Sequence, residues 1–152
     1  MEIEKRLEEL GIALPNAPAP LANYVTVRRS GNLLFMSGAG PFENGKPIIT
    51  GKLGRELDTE QGYKAARLAG LNLIAQLKNT LGDLDRIRQL VKMLAFVAST
   101  PDFTAQPAVI NGASDLFVEV FGDAGKHARS AVAIPVLPMD VAVEIELIVE
   151  VE

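Results

Sequence analysis

The regular alternation of the last strand-like segment sets the frame for the whole chain. Val143, Ile145, Leu147, Val149 and Val151 take every second position, and Glu144, Glu146 and Glu150 fall between them, interrupted only by Ile148. That two-residue period predicts a strand with one buried face. Val25 and Val27 alternate with Thr26 and Arg28 ahead of Ser30-Gly31-Asn32, so "NYVTVRRSGNLLFMSG" predicts two strands around a turn. "LVKMLAFVAS" (90–99) predicts a mostly buried strand, and "ARSAVAIPV" another. Between these segments the period changes. Ala66, Gly70, Leu73, Leu77 and Leu81 follow one another at helical spacing, with Asp58 or Thr59 as N-cap, Gln61 as capping-box partner and Gly82 as the stop. Ile110, Ala113, Phe117, Val120 and Phe121 share one face of a second helix predicted over 107–121. Residues 2–11 predict a short helix that leads into the Pro-rich connector "IALPNAPAP". In order, the elements are helix, two strands, helix, strand, helix and two strands. An α+β layer follows, with two main helices on one face of a mixed sheet.

Length and composition narrow the class further. At 152 residues the chain is one domain by the length prior, residues 1–17 forming an N-terminal extension of helix and connector. No apolar run approaches the ~20 residues of a membrane span, and "MEIEKRLEEL" lacks an apolar leader, so a cytoplasmic protein is the expectation. The absence of cysteine excludes disulfides, thiol nucleophiles and thiolate metal sites, and a single histidine, His127, excludes a paired-His metal site within one chain. A formal charge of −4 argues against broad attraction to nucleic acid.

Three constellations carry possible chemistry. Gly40-Pro-Phe-Glu-Asn-Gly45-Lys46 has P-loop spacing as far as its lysine. Pro47 then replaces the Ser or Thr that would bind magnesium, and no helix follows, so a hairpin at Asn44-Gly45 within the loop-like 38–57 segment accounts for it better. A Ser–His pair through His127 is formally possible, but nothing in the spacing supports one. His127 is expected in the loop entering the penultimate strand; an early strand start would put it on Arg129's face. Arg129 itself stands at the mouth of an otherwise apolar strand, beside the small Ala131 and Ala133. Its planar fork fits a carboxylate or phosphate, and an ion pair with one of the strand glutamates is the equal alternative.

"HARSAVAIPVLPMDVAVEIE" resembles the C-terminal signature of the reactive intermediate deaminase family (RidA, or YjgF, also known as endoribonuclease L-PSP). "YVTVRRSGNLLFMSGAGP" is similar to its N-terminal strand pair, and "TAQPAVINGASDLFVEVFG" to its second helix. The likeness spans roughly residues 18–150. It implies a chorismate-mutase-like α+β fold, assembled as a homotrimer with clefts between subunits and using no metal or organic cofactor. It places the carboxylate-binding arginine at Arg129, the water-associated glutamate at Glu144, and cleft-lining residues at Tyr24, Ser37 and Asn111. It implies hydrolysis of 2-aminoacrylate and related 2-imino acids to 2-oxo acids and ammonia. Two positions depart from the deaminase-type pattern: Ala131 stands where cysteine is common and Ala39 where glutamine is, and both make the cleft less polar. The alternatives are a non-catalytic trimer that binds a small carboxylate and, behind it, a ribonuclease, which one histidine and few aromatics serve poorly.

Overall fold

A computed structural model describes residues 1–152. The helices are α1 (Glu2–Glu9), α2 (Thr59–Leu81) and α3 (Gln106–Phe121). The strands are β1 (Val27–Ser30), β2 (Leu33–Met36), β3 (Phe42–Glu43), β4 (Lys46–Pro47), β5 (Ile87–Ala98), β6 (Ala128–Ile134) and β7 (Val143–Val151). Five strands form one sheet in the order β1-β2-β7-β5-β6. Only β5 and β6 run parallel, as the α3 crossover between them requires. The other neighbours are antiparallel.

Most predicted elements are present, with shifted ends. β1 begins at Val27 rather than near Tyr24, and Val25 is exposed. There the Ser37 side chain takes the Val25 carbonyl, and the Ser37 amide takes that of Thr26, so the chain is held without a regular ladder. β5 starts three residues earlier than predicted, with register shifts between Ile87 and Gln89 and between Leu90 and Lys92 that the alternation of side chains hides. The 38–57 segment carries the hairpin, β3 with β4, around Asn44 (φ 50°) and Gly45 (φ 77°). Two successive left-handed residues match the twist of the flanking strands.

Alternation decides the two faces of the sheet. Leu34, Met36, Met93, Ala95, Val97 and the odd-numbered residues of β7 face α2 and α3, where they are buried in the core. The capping box is formed as predicted: the Asp58 carboxylate accepts from the Gln61 amide at 2.8 Å, and the Gln61 side chain accepts from the Asp58 amide at 2.9 Å. No helix covers the opposite face. Leu33, Phe35, Leu94, Phe96, Val132 and Ile148 lie there among Glu144, Glu146 and Glu150, with Phe35 43% and Val132 44% exposed.

Helix α1 does more than cap an edge. Leu7 enters the core, and the Asp85 carboxylate accepts from the amides of Glu2 (2.7 Å) and Ile3 (2.8 Å). The Ile3 amide foremost, then that of Glu2, holds the Asp85 carboxyl at about 2, below its ordinary 3.8. A depressed carboxyl stabilises docking above its unfolded-state pKa and loses that contribution as pH falls towards its folded one. Docking of α1 is therefore expected to loosen between about pH 4 and pH 2. NMR shifts of the Glu2 and Ile3 amides that stay constant over that range would contradict it. No helix is long and apolar enough to cross a membrane.

Candidate functional site

The edge strand β6 pairs with β5 so that Arg129 lies opposite Met93, on the helix side of the sheet. The half-buried Arg129 side chain reaches α3. One terminal nitrogen (Nη1) donates to Ser114 Oγ at 3.0 Å, and the other (Nη2) donates to the Pro107 carbonyl at 3.3 Å. Both acceptors are neutral, and no carboxylate lies within ion-pairing distance. The strand glutamates cannot pair with it within the chain, since they project from the opposite face. The guanidinium thus keeps its charge and part of its donor fork uncommitted. Asn111 is exposed on α3, four residues after Pro107 and three before Ser114, which puts it on the helix face that holds Arg129.

Glu144 occupies the other face. It is opposite Phe96 on β5, half-buried, and packed so closely on Gly38 that a Cβ there would lie 2.8 Å from the Glu144 carboxyl carbon. Burial first, and the neighbouring Glu146 second, push its carboxyl above the ordinary value. Gly38 also lines a cavity of about 460 Å3 whose walls include Tyr24, Ser37, Asn72 and Gln76. Asn72 donates to the carbonyls of Gly40 (2.9 Å) and Phe42 (3.0 Å), and Gln76 joins Thr26 to Pro18, so two buried amides on α2 hold the cavity wall. Ser37 donates to the Val25 carbonyl at 2.7 Å, which fixes its hydroxyl at the rim.

The five residues singled out from the sequence therefore form two groups. Arg129 and Asn111 sit at the β6–α3 edge; Glu144 projects from β7 onto Gly38, beside the cavity that Tyr24 and Ser37 line. One strand, β5, stands between β6 and the β7 of Glu144, and two stand between β6 and the end of β2, separations of roughly 10 and 14 Å at strand spacing. The single chain does not bring the two groups together. Sequence reasoning missed Ser114 and Pro107 as partners of Arg129, and left His127 in a loop. The strand does begin after it, at Ala128, yet His127 bonds the same Ser114 hydroxyl as Arg129. The spacing of Pro107, Asn111 and Ser114 on one helical face was the available signal.

Sheet order, helix placement and an unpaired edge arginine define an α+β protein of the chorismate-mutase-like class. Residues 4–151 match the family described as "YjgF/chorismate_mutase-like, putative endoribonuclease", and the chain belongs to that family. Protein TCP17 of Trypanosoma cruzi is 45% identical over 97% of this chain and 93% of its own. The crystal structure of Atu1372 from Agrobacterium tumefaciens, a protein of unknown function, is 49% identical and superposes with a TM-score of 0.92 over 99% of this chain and 92% of that one. E. coli TdcF, solved with bound serine, is 25% identical, with a TM-score of 0.66 over 90% of this chain and 94% of its own.

Proposed function

We propose that the protein is a cofactor-free deaminase that hydrolyses 2-aminoacrylate and related 2-imino acids to 2-oxo acids and ammonia, at clefts between the subunits of a homotrimer. The observation that carries this reading is Arg129: a half-buried guanidinium held only by neutral acceptors. A carboxylate supplies the missing countercharge and matches the fork. TdcF holding serine, an amino acid with its own carboxylate, fits the same ligand class. In the reaction a water adds to the electrophilic C=N carbon, the resulting carbinolamine loses its C–N bond, and ammonia leaves. Glu144, its carboxyl raised by burial, is the group to take the proton from water and return it to nitrogen. Arg129 supplies position, which suffices for a substrate already activated.

The separation of Arg129 from Glu144 supports the oligomer. A second protomer laid against the open apolar face brings its own edge strand near the Tyr24–Ser37–Glu144 group, and closed symmetry repeats the cleft. A non-catalytic carboxylate-binding trimer is favoured by one specific feature: Ala39 and Ala131 leave few side-chain donors around the reacting carbon. Release of 2-oxo acid from freshly generated 2-aminoacrylate decides between them. Wild-type release faster than buffer is expected; release at the spontaneous rate rejects the deaminase. Subunit mixing then tests the cleft. Co-refolded Arg129→Ala and Glu144→Gln chains are expected to recover about a quarter of wild-type turnover, because each cleft draws one intact group from each chain by chance. No recovery would place both groups in one protomer.

A further inference from the structure

His127, the single histidine, has both ring nitrogens engaged. Nδ1 lies 2.8 Å from the Gly125 carbonyl, and a carbonyl only accepts, so Nδ1 carries the proton and Nε2 presents a lone pair. Ser114 Oγ lies 2.9 Å from Nε2 and must donate to it. That same oxygen accepts from Arg129 at 3.0 Å. The bonds run in one direction: Arg129 donates to Ser114, Ser114 to His127, and His127 to the Gly125 backbone. With the ring neutral, reversing one link leaves two donors or two acceptors facing each other. The ring is further fixed edge-on to Phe117, centroids 5.9 Å apart at 83°. Burial first, with the Arg129 charge opposing a second positive charge, holds the imidazole below its ordinary pKa and so favours the neutral ring. Of the other charged groups around it, Asp115 on α3 is taken by the Tyr63 hydroxyl, Lys126 pairs with Asp123, and Lys92 on β5 lies on the opposite sheet face.

We infer that Ser114 and His127 are positioning residues that fix the plane and free edge of the Arg129 guanidinium, setting affinity and specificity for planar carboxylates. This rests on the reading of Arg129 as a carboxylate clamp. A lone arginine on an edge strand samples many rotamers, and ordering it on binding weakens affinity. Here α3 orders it beforehand through Ser114 and Pro107, while His127 locks the Ser114 hydroxyl with its proton turned away. A Ser–His bond also resembles a nucleophile with its base, but Ser114 Oγ already accepts from an arginine, and mid-helix amides bonded along α3 provide no oxyanion hole.

The test titrates 2-oxobutanoate calorimetrically into wild type, Arg129→Ala, Ser114→Ala, Ser114→Thr and His127→Phe, and follows His127 by 15N NMR. Ser114→Ala and His127→Phe are expected to bind about five- to tenfold more weakly, and Ser114→Thr, which keeps the hydroxyl, to bind near wild type. In wild type, His127 is expected as the Nδ1–H tautomer, its pKa rising when the bound carboxylate offsets the Arg129 charge. A structural role alone would lower stability without moving affinity. Wild-type affinity in Ser114→Ala and His127→Phe, alongside its loss in Arg129→Ala, overturns the inference and leaves the clamp standing. Equal binding by wild type and Arg129→Ala removes the clamp itself, and the inference with it. Should the variants fail to fold, an Nε2–H tautomer or a pKa indifferent to ligand in the unaltered protein overturns it. Labelling of Ser114 by a fluorophosphonate would replace the positioning role with a nucleophilic one.

Discussion

Glu144→Gln is expected to slow 2-imino acid hydrolysis by about 10²–10⁴-fold while leaving 2-oxobutanoate affinity within a factor of about three. Glutamine keeps the shape of the side chain against Gly38 but cannot take a proton from water. Arg129→Ala is expected to behave differently, losing affinity and turnover together by on the order of 10²-fold or more, because truncating one partner of a hydrogen-bonded charge pair costs several kcal/mol. The two variants thus separate proton transfer from carboxylate binding. A Glu144 that takes the proton from water acts as the carboxylate, so on the proposed mechanism the rate is expected to fall as pH drops through its raised pKa, at a higher pH than an ordinary glutamate would give. Glu146→Gln removes the neighbouring charge and is expected to move that limb to lower pH. Kinetics of 2-oxo acid release against pH measure the effects on rate, and calorimetric titration of 2-oxobutanoate measures those on affinity. Loss of affinity in Glu144→Gln, or full turnover in it, would remove Glu144 from the proton-transfer role.

The largest effect on stability is expected from Gly112→Ala. A Cβ at Gly112 falls within the Tyr63 carbonyl and 3.1 Å from the Arg67 amide, both backbone atoms of α2. Neither can rotate away, so α2 and α3 must separate along their contact. Gly70 meets Leu116 on the same seam, again with little room. Overpacking of this kind costs about 3 kcal/mol or more when backbone must move. At this chain length that lowers the melting temperature by roughly 6–12 °C. Thermal unfolding followed by circular dichroism reads it directly, and an unchanged midpoint would mean that the helices are less closely seated than the geometry requires.

Much of the fold is written in local pattern. The β7 alternation, the capping box at Asp58 and Gln61 and the glycine stop at Gly82 each act over a few residues, so the sequence declares them without reference to the rest of the chain. The family resemblance of the last strands was equally legible, because its residues are contiguous. The site was only half legible. Residue type singled out Arg129 but left its partner open between a ligand and a strand glutamate, and Glu144 came only from the family resemblance. Strand register removes the second choice within the chain, because the glutamates lie on the opposite face.

The rest depends on contacts between segments distant in the chain. That α3 presents Pro107, Asn111 and Ser114 to the β6 edge follows from how the crossover packs, as does the meeting of His127 and Arg129 on one hydroxyl. The close seat of Gly112 on Tyr63 and the bulges that start β5 early are likewise products of packing. Periodicity says which face of an element is apolar. Which element covers that face, and which face is left open beside Phe35, Phe96 and Val132, is set by the summed burial of the whole chain, and only the tertiary structure decided it.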